Sequence, residues 1–237
     1  MLKRIYLGLT TINGDEWKNK VKEIDELGLE EISIFPTCLN LEKRKELYGL
    51  LEKTKLKSIP HVHIRTEDME NWEMDYLMEK YHTRIFNMHP QENLADFIKE
   101  KQKYLKMIYI ENLLSIDECF EKTVKSCGGV CLDFSHWERH GFKEKNSGYD
   151  KLPDLLNQYK IGVNHLSASK SGSINLSGGS AVESVRDFGD HWLDDLSEVD
   201  YVKKYKKYLA EIISIELENP LKRQLEVKEY LEKNLEL

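Results

Sequence analysis

A closed (β/α)8 barrel is the fold class this sequence predicts. Three observations lead there. Eight short apolar runs of strand composition alternate with helical stretches along 237 residues, an ordinary length for one such barrel. From the third run onward, side chains of metal-ligand type stand at the carboxyl ends, where barrels of this class keep their sites. The competing architecture, an open doubly wound sheet, lacks its usual marks: no GxGxxG turn follows the first strand and no GxxxxGK[ST] occurs.

The first unit is a strand over Ile5 to Leu9, then Thr-Thr-Ile-Asn-Gly, then a helix over Asp15 to Leu27 with Trp17, Val21, Ile24 and Leu27 at helical spacing. Gly28 closes that helix. Glu31 to Phe35 and Leu41 to Leu51 repeat the pair. Leu56 to Ile64 is the third strand, ending in His61-Val62-His63, with its helix over Trp72 to Tyr81. Thr83 to Met88 runs into His89-Pro90, and a short helix from about Leu94 leads to Met107 to Ile110, which ends in Glu111-Asn112. After a helix over Ile116 to Val124 comes Gly128-Gly129-Val130-Cys131-Leu132-Asp133-Phe134-Ser135-His136. Its β-branched and apolar centre reads as a buried parallel strand, with polar chemistry at the carboxyl end. A helix over Leu152 to Tyr159 precedes Ile161 to Asn164, ending at His165, and Ile212 to Ile215 ends at Glu216. Leu221 to Leu235 is a final amphipathic helix. The connection over 167–197 is long, and its first half is rich in Ser and Gly, which predicts a flexible loop able to act as a lid.

Taken together, the strand ends offer His61 or His63, His89, Glu111, Asp133 with His136, His165, and Glu216. His61 and His63 share a face, so periodicity does not choose between them. Glu216 and Glu218 also share a face, and Glu216 directly follows the strand. The long loop adds Asp187, Asp190 and His191. Mixed His and carboxylate donors suit Zn2+, Mn2+ or Fe2+, with Zn2+ the first choice, whereas an all-oxygen set would favour Mg2+ or Ca2+.

The composition supports a single domain with a sizeable core, at 40% hydrophobic and 32% charged residues. A net charge of −7 argues against a broad nonspecific nucleic-acid surface. Four cysteines without a CxxC pair, a short apolar run at the amino end and no stretch of about 20 apolar residues predict a cytoplasmic protein.

The motifs resemble those of the xylose isomerase-like TIM barrel superfamily, with endonuclease IV nearest in ligand pattern. Ile59-Pro60-His61 is similar to a Pro-His strand end, Met88-His89-Pro90 to a His-Pro, and Ile110-Glu111-Asn112 to a Glu-Asn. The run from Val130 to His136 is similar to hydrophobic-Cys-hydrophobic-Asp-Thr-Cys-His, and His165 to Lys170 to His-Leu-Asn-Asp-Ser-Lys. The resemblance implies one metal on His61, His89 and Glu111, and another on Glu111, Asp133, His165 and Glu216. It implies a third on His136, Asp190 and His191, although that family spaces the last pair Asp-x-His and here the two are adjacent. Ser214-Ile215-Glu216-Leu217-Glu218-Asn219-Pro220 resembles the ending found in sugar phosphate isomerases and epimerases, which use one metal.

Three functions are therefore expected, in order. The first is a phosphoester hydrolase with a cluster of divalent metals, acting on a small sugar phosphate or an abasic nucleic acid. The second is a one-metal sugar or sugar phosphate isomerase or epimerase, and the third a noncatalytic barrel that binds metal or sugar phosphate. Glu111, Glu216 and His136 are the expected catalytic residues.

Overall fold

The computed structural model describes residues 3–170 and 189–237. Among these residues the strands are β1 (Arg4–Tyr6), β2 (Gly8–Thr10), β3 (Ser33–Phe35), β4 (His61–His63), β5 (Ile85–Met88), β6 (Ile108–Glu111), β7 (Gly129–Asp133), β8 (Ile161–Leu166) and β9 (Ile212–Ile215). All pair in parallel, in the order β1-β9-β8-β7-β6-β5-β4-β3-β2. Since β1 and β2 are consecutive with Leu7 between them, the two ends of the sheet meet and the result is a nearly closed α/β barrel. The expected first strand is thus two short segments, one pairing β9 and the other β3.

The helices between strands are α1 (Trp17–Glu26), α2 (Leu41–Leu51), α3 (Asn71–Tyr81), α4 (Leu94–Lys101), α5 (Glu118–Ser126), a single turn α6 (Phe134–His136), α7 (Leu152–Gln158) and α8 (Leu221–Leu235). Local chemistry sets several of their starts. Asn40 caps α2 by accepting from the Lys43 N–H at 3.1 Å, and Asp117 caps α5 by accepting from Phe120 at 3.0 Å. Two further segments were not expected: a π-helical stretch over Trp137–Lys143 and a 3-10 helix over Leu196–Tyr208 in the crossover from β8 to β9. Residues 171–188, which carry Asp187 and most of the expected lid, lie outside the described residues.

Pleating divides the apolar side chains into two clusters. Residues facing the helices, such as Val62, Phe86, Ile110, Leu132 and Ile213, belong to the main core. Those facing the barrel axis at its amino end, Tyr6, Ile85, Tyr109, Cys131, Val163 and Ile212, form a separate plug. Two residues further along the same strands the axis side becomes polar, with Asn87, Glu111, Asp133, His165 and Ser214 all buried. The site therefore rests on an apolar floor.

At the seam, a side chain substitutes for strand pairing. A Cβ on Gly8 would lie 1.9 Å from the Ile215 carbonyl oxygen, so only glycine fits there. Gly8 N–H donates to Gln224 Oε1 at 2.7 Å, and Gln224 Nε2 donates to the carbonyls of Gly8 (2.9 Å), Leu217 (2.9 Å) and Asn219 (3.0 Å). The fully buried amide of α8 thus ties β2 to the exit of β9. Gln224→Leu is expected to lower stability by about 3 kcal/mol, because buried backbone groups lose their partners. Urea unfolding measures this, and a loss below about 1 kcal/mol would show that the seam is satisfied without the amide.

Candidate metal centre

Glu111, the last residue of β6, is the hub. Its Oε2 lies 3.1 Å from His63 Nε2 and 3.3 Å from His165 Nδ1, while Oε1 lies 3.4 Å from His136 Nδ1 and 4.0 Å from His89 Nε2. Two sets of side chains that share it could each hold a metal ion. An inner set of Glu111, Asp133, His165 and Glu216, all buried, offers ligand atoms within 4.8 Å of one another, and so does an outer set of His63, His89 and Glu111. Cys131, two residues before Asp133 on the same face, forms a further compatible trio with Glu111 and His165.

The inner set has the marks of a cation site. Few buried side-chain atoms among the described residues lack a hydrogen-bond partner, and three of those that do are Asp133 Oδ2, His165 Nδ1 and Glu216 Oε2. His165 Nδ1 and Glu216 Oε2 are 3.0 Å apart without forming a directed hydrogen bond. Orphaned buried polar atoms are costly, and three converging on one point fit a metal ion. Asp133 divides its oxygens between two tasks: Oδ1 accepts from Ser135 Oγ (2.7 Å) and the His136 N–H (2.8 Å), capping the turn α6, and Oδ2 is left bare.

The electrostatics agree. Burial works against the Glu111 carboxylate, but His165 and His63 outweigh it and hold it well below the usual range. Burial likewise opposes charge on Glu216, yet His165, aided by His191, brings it down to about 2. Burial also works against charge on His165, but Cys131, Glu111 and Glu216 raise it well above an ordinary imidazole. A place where an imidazole is driven to carry positive charge among carboxylates is one that a divalent cation suits.

Outer contacts orient these ligands. His63 Nδ1 donates to the Ile64 carbonyl at 3.1 Å, which leaves Nε2 with a free lone pair facing Glu111. Asn87 Nδ2 donates to Glu111 Oε2 at 2.7 Å, so its Oδ1 accepts from His61 Nε2 at 2.7 Å. His61 Nδ1 then accepts from Ser214 Oγ at 2.9 Å, and Ser33 donates to Ser214 at 2.8 Å. Every donor in this chain is fixed by its neighbour.

That chain corrects the ligand role expected of His61. β4 is only three residues long and begins at His61, so the imidazole lies one pleat below the metal layer with both nitrogens hydrogen-bonded. Burial holds it neutral, its pKa lowered well below the usual imidazole value. His63 takes the place at the strand end.

The expected third metal set does not assemble. Adjacent residues point apart: Asp190, in the 3-10 turn Gly189–His191, faces Arg139 at 3.5 Å, whereas His191 donates from Nδ1 to the Glu216 carbonyl at 3.2 Å. His136 stands at the wall, with Nδ1 donating to the Asn112 carbonyl at 2.9 Å, and is not in either ligand set. Glu218 turns away to accept from the Ile12 and Asn13 N–H groups at 3.1 and 3.2 Å, which fixes the loop after β2.

A cavity of about 350 Å³ opens above the ligands, walled by His63, His89, Glu111, His136, His191 and Glu216 and by Ile12, Thr37, Cys38, Arg65, Thr66, Glu67 and Leu113. Sequence reasoning missed Asn87 and Arg65. Each lies two residues from a strand-end histidine, His89 and His63, so the pleat alone would have put Asn87 on the site's face.

No family model matches this chain, and no curated protein matches it. Solved structures similar to it include an uncharacterized protein of B. cereus, at 10% identity and a TM-score of 0.47, which covers all of this chain, while this chain spans 65% of that one. Another is an HpcH/HpaI aldolase from Desulfitobacterium hafniense DCB-2, at 8% identity and a TM-score of 0.46, covering all of this chain and 94% of that one. Neither of these two is named as a xylose isomerase-like barrel, and the membership in that superfamily expected of this chain is withdrawn. The motifs that suggested it are short runs of three to seven residues at strand ends, and a barrel that binds a metal between His and carboxylates needs ligand-type residues there. Among the described residues no helix is long and apolar enough to cross a membrane.

Proposed function

We propose that this chain is a hydrolase of small phosphate esters that works with two divalent metal ions, which would be held by two ligand sets that share Glu111. The observation that carries the reading is that both ligand sets share this one carboxylate. The His and carboxylate donors suit Zn2+ first, then Mn2+ or Fe2+. When bound, the ions supply Lewis acidity, making a water more acidic and balancing charge on phosphoryl oxygens. The chain's own residues do the rest. Glu111 is aimed by Asn87, and Asp133 is held by Ser135 and the His136 N–H. His136 has committed its Nδ1 proton to Asn112, and Nε2 is left to take a proton from, or return one to, the substrate. The cavity's size supports a small molecule rather than a polynucleotide, and Arg65 is the sole Arg or Lys among the described residues that wall it.

A second reading has one observation in its favour: the orphaned atoms lie in the inner set, which would make a one-metal enzyme that moves a proton on a small hydroxy-carbonyl sugar. Metal content separates the two. Protein purified without chelator is expected to carry two equivalents of Zn, Mn or Fe and to turn over members of a phosphomonoester and phosphodiester panel. One equivalent, with turnover on sugars instead, would establish the second reading, and metal-free folded protein would sink both. His136→Ala is expected to keep both metals and to lower turnover by about 10²- to 10⁴-fold. Loss of metal in that variant would make His136 a ligand, and unchanged turnover would leave it no role in the reaction.

A further inference from the structure

Resting on the phosphate-ester reading, we propose that Arg65 is the residue that grips the phosphate of the substrate. Arg65 lies two residues beyond His63, in the loop between β4 and α3, and its side chain forms part of the cavity wall. Its guanidinium is already held on one side. Nε donates to Asp68 Oδ1 at 2.9 Å and Nη1 donates to the Thr37 carbonyl at 2.9 Å, while Nη2 has no hydrogen-bond partner among the described residues.

The clamp is itself anchored in the core. Asp68 Oδ1 also accepts from Nη1 of the fully buried Arg44 at 2.8 Å, and Arg44 Nη2 donates to the Asp68 carbonyl at 3.0 Å. Asp68 therefore cannot follow Arg65 into the cavity, and Arg65 is fixed before any ligand arrives. A strut between the loops after β3 and β4 would need Nε and Nη1 alone. The unused Nη2 edge, planar and permanently charged, matches a phosphate oxygen, and pre-organisation lowers the cost of binding one.

Charge points the same way. Two divalent ions more than balance Glu111, Asp133 and Glu216, and Arg65 adds a further positive charge on the same small cavity, a complement to a phosphate monoester dianion. Glu67, with its carboxylate 3.7 Å from Arg65 Nε, is largely exposed and screened by water.

Calorimetric titration of inorganic phosphate into metal-loaded protein tests this, with elemental analysis of each preparation. Arg65→Met is expected to weaken phosphate binding by about 10- to 100-fold with metal content unchanged. Arg65→Lys, which keeps the charge and the stem but loses the fork, is expected to fall between, and it serves as the second variant if the first does not fold. Wild-type affinity for phosphate in both variants at full metal content would overturn the proposal, as would acetate binding to the wild type as tightly as phosphate. If the wild type takes up no metal, the two-metal reading fails by itself. Arg65 is then judged on metal-free protein, where phosphate affinity equal in wild type and Arg65→Met would overturn it.

Discussion

Glu111→Gln is expected to abolish the paired metal site, leaving at most one equivalent of metal and lowering turnover by about 10²- to 10³-fold. The amide keeps the shape of the side chain but removes the charge on which both ligand sets depend, and it places an NH2 group toward His63, His165 or Asn87, which already presents its own NH2. Neither set can recruit a substitute. Asp133 and Glu216 lie on the inner side, and the outer set without Glu111 is two imidazoles, one of them exposed. The measurement is metal content and turnover on one preparation. Two metals retained in the variant would show that the bridge is not Glu111.

Arg44→Met is expected to cost about 3–5 kcal/mol of stability, the range for stripping one partner from a buried ion pair. Arg44 and Glu73 are both fully buried, and the guanidinium makes paired contacts to Glu73 at 2.8 and 2.9 Å while also donating to the Leu39 carbonyl at 2.8 Å. Tyr48 OH and the Glu70 N–H donate to the same carboxylate at 2.9 and 3.0 Å, two neutral donors that leave the buried charge without a counterion. Against a typical total of about 5–15 kcal/mol the loss is severe. Adding Glu73→Gln should recover part of it, because the stranded charge disappears. Urea midpoints of the single and double variants read the effect, and a single-variant loss under about 1 kcal/mol would mean water reaches Glu73.

The alternation of strands and helices was legible because the pleat and the helical turn imprint different periods on the sequence. Placement of ligand-type residues at strand ends was legible for the same reason, and Glu111, Asp133, His165 and Glu216 come together as one buried set. The choice between His61 and His63 was not, since both satisfy the pleat and only the extent of β4 separates them. The helix over Leu196–Tyr208 escaped notice because its buried Val199, Val202 and Tyr205 recur every three residues, the period of a 3-10 helix and not of an α-helix. Arg65 and Asn87 owe their roles to partners distant along the chain, Thr37 and Glu111, which no local pattern announces.

The amide of Gln224 also bears on the order of events in folding. It joins Gly8 to a helix 216 residues later, so while the chain emerges from the ribosome the margin of β2 that faces β9 waits without its partner. Closing so long a loop is slow and comes after local units have formed. Bonds made after the folding barrier slow unfolding without speeding folding, so Gln224 is expected to act as a latch: its loss quickens opening of the barrel and leaves the refolding rate nearly unchanged.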